Sequence, residues 1–247
     1  MLSTQAVNLA LEHNIDIIFL DGYGDPVGRI WFSKLGSTAL IRRRQLDAEV
    51  NQEIGLDLVR EMISQKINNQ VQFLKKLMYA RPGKESLFEE PLAVIERALT
   101  RVGELKGDST DNLRNSLMGI EGTCGRAYFQ CLSPLLPEKY RFNGRSRQPA
   151  KDPFNAVLNY CYGILYGLVE KACILSGLDP YVGFLHTDNY NKKSLVFDLI
   201  EPFRIYAEQV TAYLFTGRKI AASIFSPFAR RISAGLKYWG RALTGNW

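Results

Sequence analysis

From about Asp47 onward the long apolar stretches repeat at helical spacing, and none alternates convincingly with the period of a strand. That confines most of this 247-residue chain to an α-helical domain. Residues 48 to 79 set the pattern: Ile54, Leu58, Met62, Ile67, Val71, Leu74 and Met78 form one long stripe that ends before Arg81-Pro82-Gly83. Further helices are predicted near 88–105, 110–132, 153–176 and 194–216. Upstream the pattern differs. Residues 3 to 13 carry a capping Ser3 or Thr4 and one stripe of Ala6, Val7, Ala10 and Leu11. IDIIFL and VGRIWF then flank the turn-rich DGYGDP, which predicts a β-hairpin bent by Gly22, Gly24 and Pro26. The fold class is α+β, mainly α: a small N-terminal hairpin followed by an all-α domain. The expected division is a partial β domain over 1–46, a helical domain over 47–217 and a basic tail over 218–247.

Charge narrows the function only after it is located. The net charge of +6 suggests a nucleic-acid binder, but Arg218, Lys219, Arg230, Arg231, Lys237 and Arg241 fall in a tail with no acid. Without them the remaining 25 basic residues balance the 25 acidic ones, so a DNA-binding argument has to rest on local patches. Cys124, Cys131, Cys161 and Cys173 lie in apolar helical patterns with no CxxC pair and read as small buried hydrophobes in a reducing compartment. The N-terminus has no basic segment ahead of an apolar run. The longest uncharged stretch, Phe154 to Val169, is too short to span a bilayer. A cytoplasmic protein without a membrane partner is expected.

Two separated blocks carry the candidate chemistry: Glu121 in GIEGTCGRAYF, and His186, Asp198 and Glu201 in GFLHTDNYNKKSLVFDLIEPFR. Three carboxylates and one imidazole make a hard donor set that suits Mg2+ or Mn2+ better than Zn2+. Leu117, Cys124 and Tyr128 share the helical face of Glu121, which aims that carboxylate at packed surface. On the residues alone, a buried Glu121 paired with Arg126 or Arg114 is the commoner outcome. Gly119, Gly122 and Gly125 around it suggest that something approaches the backbone closely. A lone histidine such as His186 is more often a satisfied core or surface residue than a ligand. Asp198 and Glu201, three apart, fall on one face and repel unless a cation or proton lies between them. Pro202 leaves the Asp198 carbonyl without its helical donor and should bend the helix there.

Basic segments supply the remaining candidates. EKYRFNGRSRQPAKDPFN interleaves Arg145 and Arg147 with Tyr140 and Phe142, as a surface that tracks phosphates and stacks bases would. A solvated loop is the plainer reading. Arg42, Arg43 and Arg44 form another patch in IRRRQL. Asn155 and Tyr160 fit either orientation of ligands or DNA, or capping and packing.

Together with GRSRQPAKDPFNAVLNYCYGILYG and GLDPYVGFLH, these blocks resemble, in order and spacing from about residue 3 to 219, the catalytic subunit of the CRISPR spacer-acquisition complex. IRRRQL resembles that family's arginine-glutamine motif and KINNQ at Lys66 to Gln70 its lysine-asparagine-glutamine helix. The resemblance implies a metal-dependent DNA endonuclease and integrase. It implies Glu121, His186 and Glu201 as ligands of Mg2+ or Mn2+ converging on one ion, Asp198 as a second acid assisting catalysis, and Arg126 as a DNA contact beside Arg42, Arg145 and Arg147. It also implies a homodimer partnered by a small ferredoxin-like subunit, acting on branched or double-stranded DNA at a repeat array. Family members carry strands ahead of the first helix and a longer charged C-terminal region, so this chain is expected to be short at one end and atypical at the other. Two other readings compete: an inactive DNA-binding scaffold of the same complex, and a metal-dependent small-molecule hydrolase. The hydrolase leaves the basic loops unexplained and lacks a Gly-rich nucleotide cradle.

Overall fold

The computed structural model describes residues 2–13, 15, 17–20, 26–30, 38–186 and 192–217. The turn DGYGDP, the end of VGRIWF and the basic tail therefore lie largely or wholly outside the described residues. Helix α1 (Thr4–Glu12) starts at Ser3, whose hydroxyl accepts from the Ala6 N–H. Strands β1 (Ile17–Leu20) and β2 (Pro26–Ile30) pair antiparallel, with Ile17 opposite Ile30 and an irregularity between Phe19 and Leu20. All the other regular elements among the described residues are helical.

The helical body begins earlier than the apolar pattern suggests. Helix α2 (Thr38–Val50) buries only Gln45 among its described side chains, so it has no stripe to read. Asn51 then interrupts what reads as one continuous helix by capping α3 (Gln52–Tyr79), its side chain accepting from the Ile54 N–H. The stripe on α3 matches the expected one from Ile67 onward and departs from it in the first turns. Leu56, Val59, Ile63, Ile67, Val71 and Leu74 are buried, whereas Ile54 and Leu58 face solvent.

Helices α4 (Ser86–Glu104) and α5 (Thr110–Leu132) pack on α3 and on each other. They close the main core with Phe88, Ile95, Val102, Leu117, Cys124 and Tyr128. Ser109 caps α5 and Asp152 caps α6 (Pro153–Leu175), with Pro153 in the first turn where its missing N–H costs nothing. The expected helix over 194–216 is divided into α7 (Ser194–Leu199), a 3-10 turn at Glu201–Phe203 and α8 (Arg204–Thr216). The break falls at Pro202, as its chemistry demands. Helix α8 lies against α3 and α6.

The connection from α5 to α6 belongs to the core as much as the helices do. Phe142 stacks on Phe154 with ring centroids 4.4 Å apart, and Tyr140 meets Phe215 edge-on at 5.0 Å. Both side chains are buried, so neither offers a face to a nucleic-acid base; the aromatic spacing in EKYRFN serves packing. Phe154→Ala should cost about 3–5 kcal/mol of unfolding free energy, because Phe142 and Phe215 both lose their partner, and equilibrium urea denaturation would read the loss.

Candidate active site

Three elements meet around one ammonium group. Lys66 lies near the middle of α3, and its Nζ hydrogen-bonds Glu121 Oε1 on α5 and, at 2.5 Å, Glu201 Oε2 in the turn after α7. Asn69, one turn further along α3, donates to the Pro202 carbonyl at 2.9 Å. Two residues spaced three apart on one helix thus grip the Glu201–Pro202 turn. Arg204 adds a second cation, its Nε donating to Glu201 Oε2 at 2.9 Å. The Arg204 guanidinium lies over the Tyr162 ring, 4.7 Å from its centroid, and Tyr162 donates its hydroxyl to Glu208 at 2.7 Å.

These partners set the local electrostatics. Burial alone would raise the Glu201 carboxyl, but Arg204 and then Lys66 outweigh it and hold the group well below the usual carboxylate range. Burial opposes the charge on Lys66 as well. Glu201 and Glu121 overcome that penalty and raise the ammonium above its ordinary value. Two cations and two carboxylates therefore form a neutral, largely buried cluster, in which removing one partner strands a charge.

His186 is positioned separately. The Asp198 carboxylate, buried at the end of α7, accepts the backbone N–H groups of Phe184, Leu185 and His186 at 2.6, 3.0 and 3.2 Å. Its Oδ1 also lies 2.6 Å from His186 Nδ1. A carboxylate that accepts from three amides makes the ring nitrogen the donor, so Nδ1 carries a proton and Nε2 lies outside this contact. Asp198 is thus engaged in holding the His186 segment. The segment is pinned from two further sides. Arg114 on α5 donates to the Leu185 carbonyl at 2.7 Å. Gln45 on α2 donates to the Asp179 and Val182 carbonyls at 2.8 and 2.9 Å and accepts from the Asp179 N–H at 2.8 Å.

The structure brings Glu121 and Glu201 to one cation and His186 to Asp198. Among the described residues no three His, Cys, Asp or Glu side chains form a group that could hold a metal ion. Neither Arg126 nor Arg114 pairs with Glu121 in the contacts described above; Arg126 is exposed and donates to Thr123 Oγ1 at 3.2 Å. The glycines near Glu121 are not crowded: a Cβ would meet nothing within 4 Å at Gly119 and Gly125, and only an Arg126 nitrogen at 3.8 Å at Gly122. Among the basic candidates, Arg42 and Arg147 are exposed but Arg145 points inward. Its guanidinium bonds Asn155, Asn159 and the Ser146 carbonyl and lies 5.3 Å from the Tyr162 centroid, and burial lowers it to about 10. Arg145 is therefore spent on shaping its own loop and is not free to track phosphates. Asn155 caps and braces that loop, bonding Asp152, Gly144 and Ser146.

Of the residues around the site, Arg204 was singled out by nothing in the sequence reading, whereas Lys66 and Asn69 fall in KINNQ and Gln45 in IRRRQL, motifs named for the resemblance but given no place at the site. Arg204 had a readable signal, since it lies three residues after Glu201. Lys66 and Gln45 depend on contacts with residues 135 and 134 positions away, which no local pattern displays.

A family model described as CRISPR associated protein Cas1 matches residues 1–241. The CRISPR-associated endonuclease Cas1 1 of Archaeoglobus fulgidus is 38% identical over 213 residues, covering 82% of this chain and 61% of that protein. The protein of the same name from Methanospirillum hungatei is 34% identical over 220 residues, 89% of this chain and 63% of that protein. The chain thus spans about three fifths of the length of these relatives. Among solved structures, a casposase bound to integration product superimposes with a TM-score of 0.72 at 24% identity, over 96% of this chain and 66% of that one. A Cas1 protein from Thermotoga maritima gives 0.69 at 23% identity, over 98% and 82%. At these identities the likeness establishes a shared fold.

Gly183 tests the packing of the histidine segment. A Cβ there would lie 2.6 Å from Ser194 Cβ and 2.8 Å from the Ser194 carbonyl carbon, so the backbone has to move. Gly183→Ala should destabilise the protein by about 1–3 kcal/mol in urea titration, as overpacking does.

Proposed function

The chain belongs to the CRISPR-associated Cas1 family, and from that membership we propose that it is the catalytic domain of a divalent-metal-dependent DNA endonuclease and integrase acting in spacer acquisition. One observation carries the reading to particular residues: Glu121 and Glu201, far apart in sequence, share a single cation in a largely buried cluster. A place that already holds one cation between two carboxylates fits a metal by the chemistry of its donors. His186, with Nδ1 engaged by Asp198, has Nε2 as its ligating nitrogen. Glu121, His186 Nε2 and Glu201 would hold Mg2+ or Mn2+, the hard ions that such a donor set suits. When bound, the ion would supply charge stabilisation at the scissile phosphate.

The remaining work falls to the chain's own side chains. Asp198 fixes the imidazole tautomer and orientation, so its contribution is made through His186. Arg204 keeps Glu201 ionised and stacked Tyr162 keeps Arg204 in place. The nucleophile in this reading is a DNA 3′-hydroxyl for integration or water for cleavage, with no covalent intermediate on the protein. DNA is engaged by exposed basic groups, Arg42, Arg126 and Arg147 among them, outside the ion-paired cluster. The reading also takes the N-terminal strands to belong to a dimerising β part, with a small ferredoxin-like subunit as partner. Solved structures of matching fold include a Cas6-RT-Cas1–Cas2 complex, which supports assembly with a second protein.

The experiment is Mn2+- or Mg2+-dependent cleavage and strand transfer on branched DNA. Glu121→Ala and His186→Ala should each abolish turnover while DNA affinity stays within about twofold, because phosphate neutralisation comes from other residues. Full cleavage by either variant would refute the assignment of that residue as a metal ligand, and absence of metal-dependent cleavage by the unaltered chain would return it to a DNA-binding scaffold. In salt titrations, Arg42→Ala and Arg147→Ala should each lower the slope of log affinity against log salt by about one unit. Arg145→Ala should leave that slope unchanged and lower the melting temperature, since its bonds are internal.

A further inference from the structure

Lys66 reaches both carboxylates with a single group, and that has a thermodynamic consequence. Its ammonium bonds an oxygen of Glu121 and an oxygen of Glu201, the donors a divalent ion would need. Its side chain is only 10% exposed, and it lies on a helix fixed by buried Ile63 and Ile67 on either side. The cluster is balanced, with Lys66 and Arg204 against Glu121 and Glu201. Adding a dication to a neutral buried cluster would leave two uncompensated positive charges in a poorly solvated place.

We infer that Lys66 is a resident counter-ion of the metal-free site, and that a divalent cation binds by displacing its ammonium from between Glu121 and Glu201. This rests on the reading of those two carboxylates as metal ligands. Of the two cations, Lys66 is the one built to leave. Arg204 is held on the Tyr162 ring and contacts Glu201 through Nε. Lys66 is a compact charge on a flexible four-carbon stem, so its ammonium can move while its backbone stays in α3. The exchange gives the metal-free protein a defined, neutral site in which two buried carboxylates do not repel each other. It also sets a threshold against divalent binding, because the ion competes with a tethered group at very high local concentration.

The test is Mn2+ binding without DNA, read from the EPR signal of free Mn2+, alongside thermal melting of the same samples. Lys66→Gln should bind Mn2+ about tenfold or more tightly than the wild type, since a unit charge a few ångströms away opposes the ion. Metal-free Lys66→Gln should melt lower than the wild type and gain more on adding Mn2+. Lys66→Arg, which keeps the charge, should bind Mn2+ no more tightly than the wild type. If Lys66→Gln does not fold, Lys66→Met keeps the apolar stem and should show the same tightening. Glu121→Gln separates the two ways of failing. If it abolishes wild-type Mn2+ binding but neither neutral variant at position 66 binds more tightly, the counter-ion role is wrong and the ligand assignment stands. If Mn2+ binding is absent, or is insensitive to Glu121→Gln, the ligand assignment fails and takes the inference with it. Tighter binding by Lys66→Arg would also overturn it.

Discussion

The pairing of Lys66 with Glu121 and Glu201 is the contact on which the rest of the site depends. It joins the middle of α3 to α5 and to the turn between α7 and α8, elements that also pack against one another. Apolar contact is tolerant of small sliding movements, whereas a hydrogen-bonded ion pair with little exposure is not. Breaking one partner of such a pair typically costs about 3–5 kcal/mol because the other charge is left uncompensated. The register of the Glu201–Pro202 turn against α3 is therefore held by charge, with Asn69 adding a directional bond to the Pro202 carbonyl.

A second layer of polar contacts supports this one. Tyr162 has a guanidinium near its ring from both Arg145 and Arg204, and its hydroxyl is tied to Glu208. Burial first, then Glu208, raise that phenol well above its ordinary range, so it remains a neutral hydrogen-bond donor. The loop containing Arg145 and the turn containing Glu201 thus meet at one aromatic ring. A surface-seeking sequence such as GRSRQPAK carries an internal strut in the same stretch as an exposed arginine, Arg147.

Periodicity revealed those parts of the molecule in which apolar burial dominates. Leu117, Cys124 and Tyr128 correctly place Glu121 beside packed surface, and α4, α5 and α6 fall close to their expected spans. Helix α2 was illegible because it buries a glutamine where a stripe would be, and the division at Asn51 depends on a single cap. Tyr140, Phe142 and Arg145 misled for one reason: composition cannot tell a side chain turned inward from one turned outward when both occur in a basic loop. The candidate acids and histidine were visible as residue types. What held each of them was not, since Asp198 acts through three backbone amides and Lys66 joins a distant helix and a distant turn.

The three hydrogen bonds from Gln45 have a mechanical meaning. They tie α2 to the chain just ahead of His186, while Arg42, Arg43 and Arg44 on the same helix face solvent. Helix α2 thus has a charged outer surface and one inward amide that ends at the histidine segment. Beside the packing of α2 on α3, Gln45 is a polar link between that outer face and the histidine segment. Replacing Gln45 would remove that polar link while the packing of α2 on α3 remains.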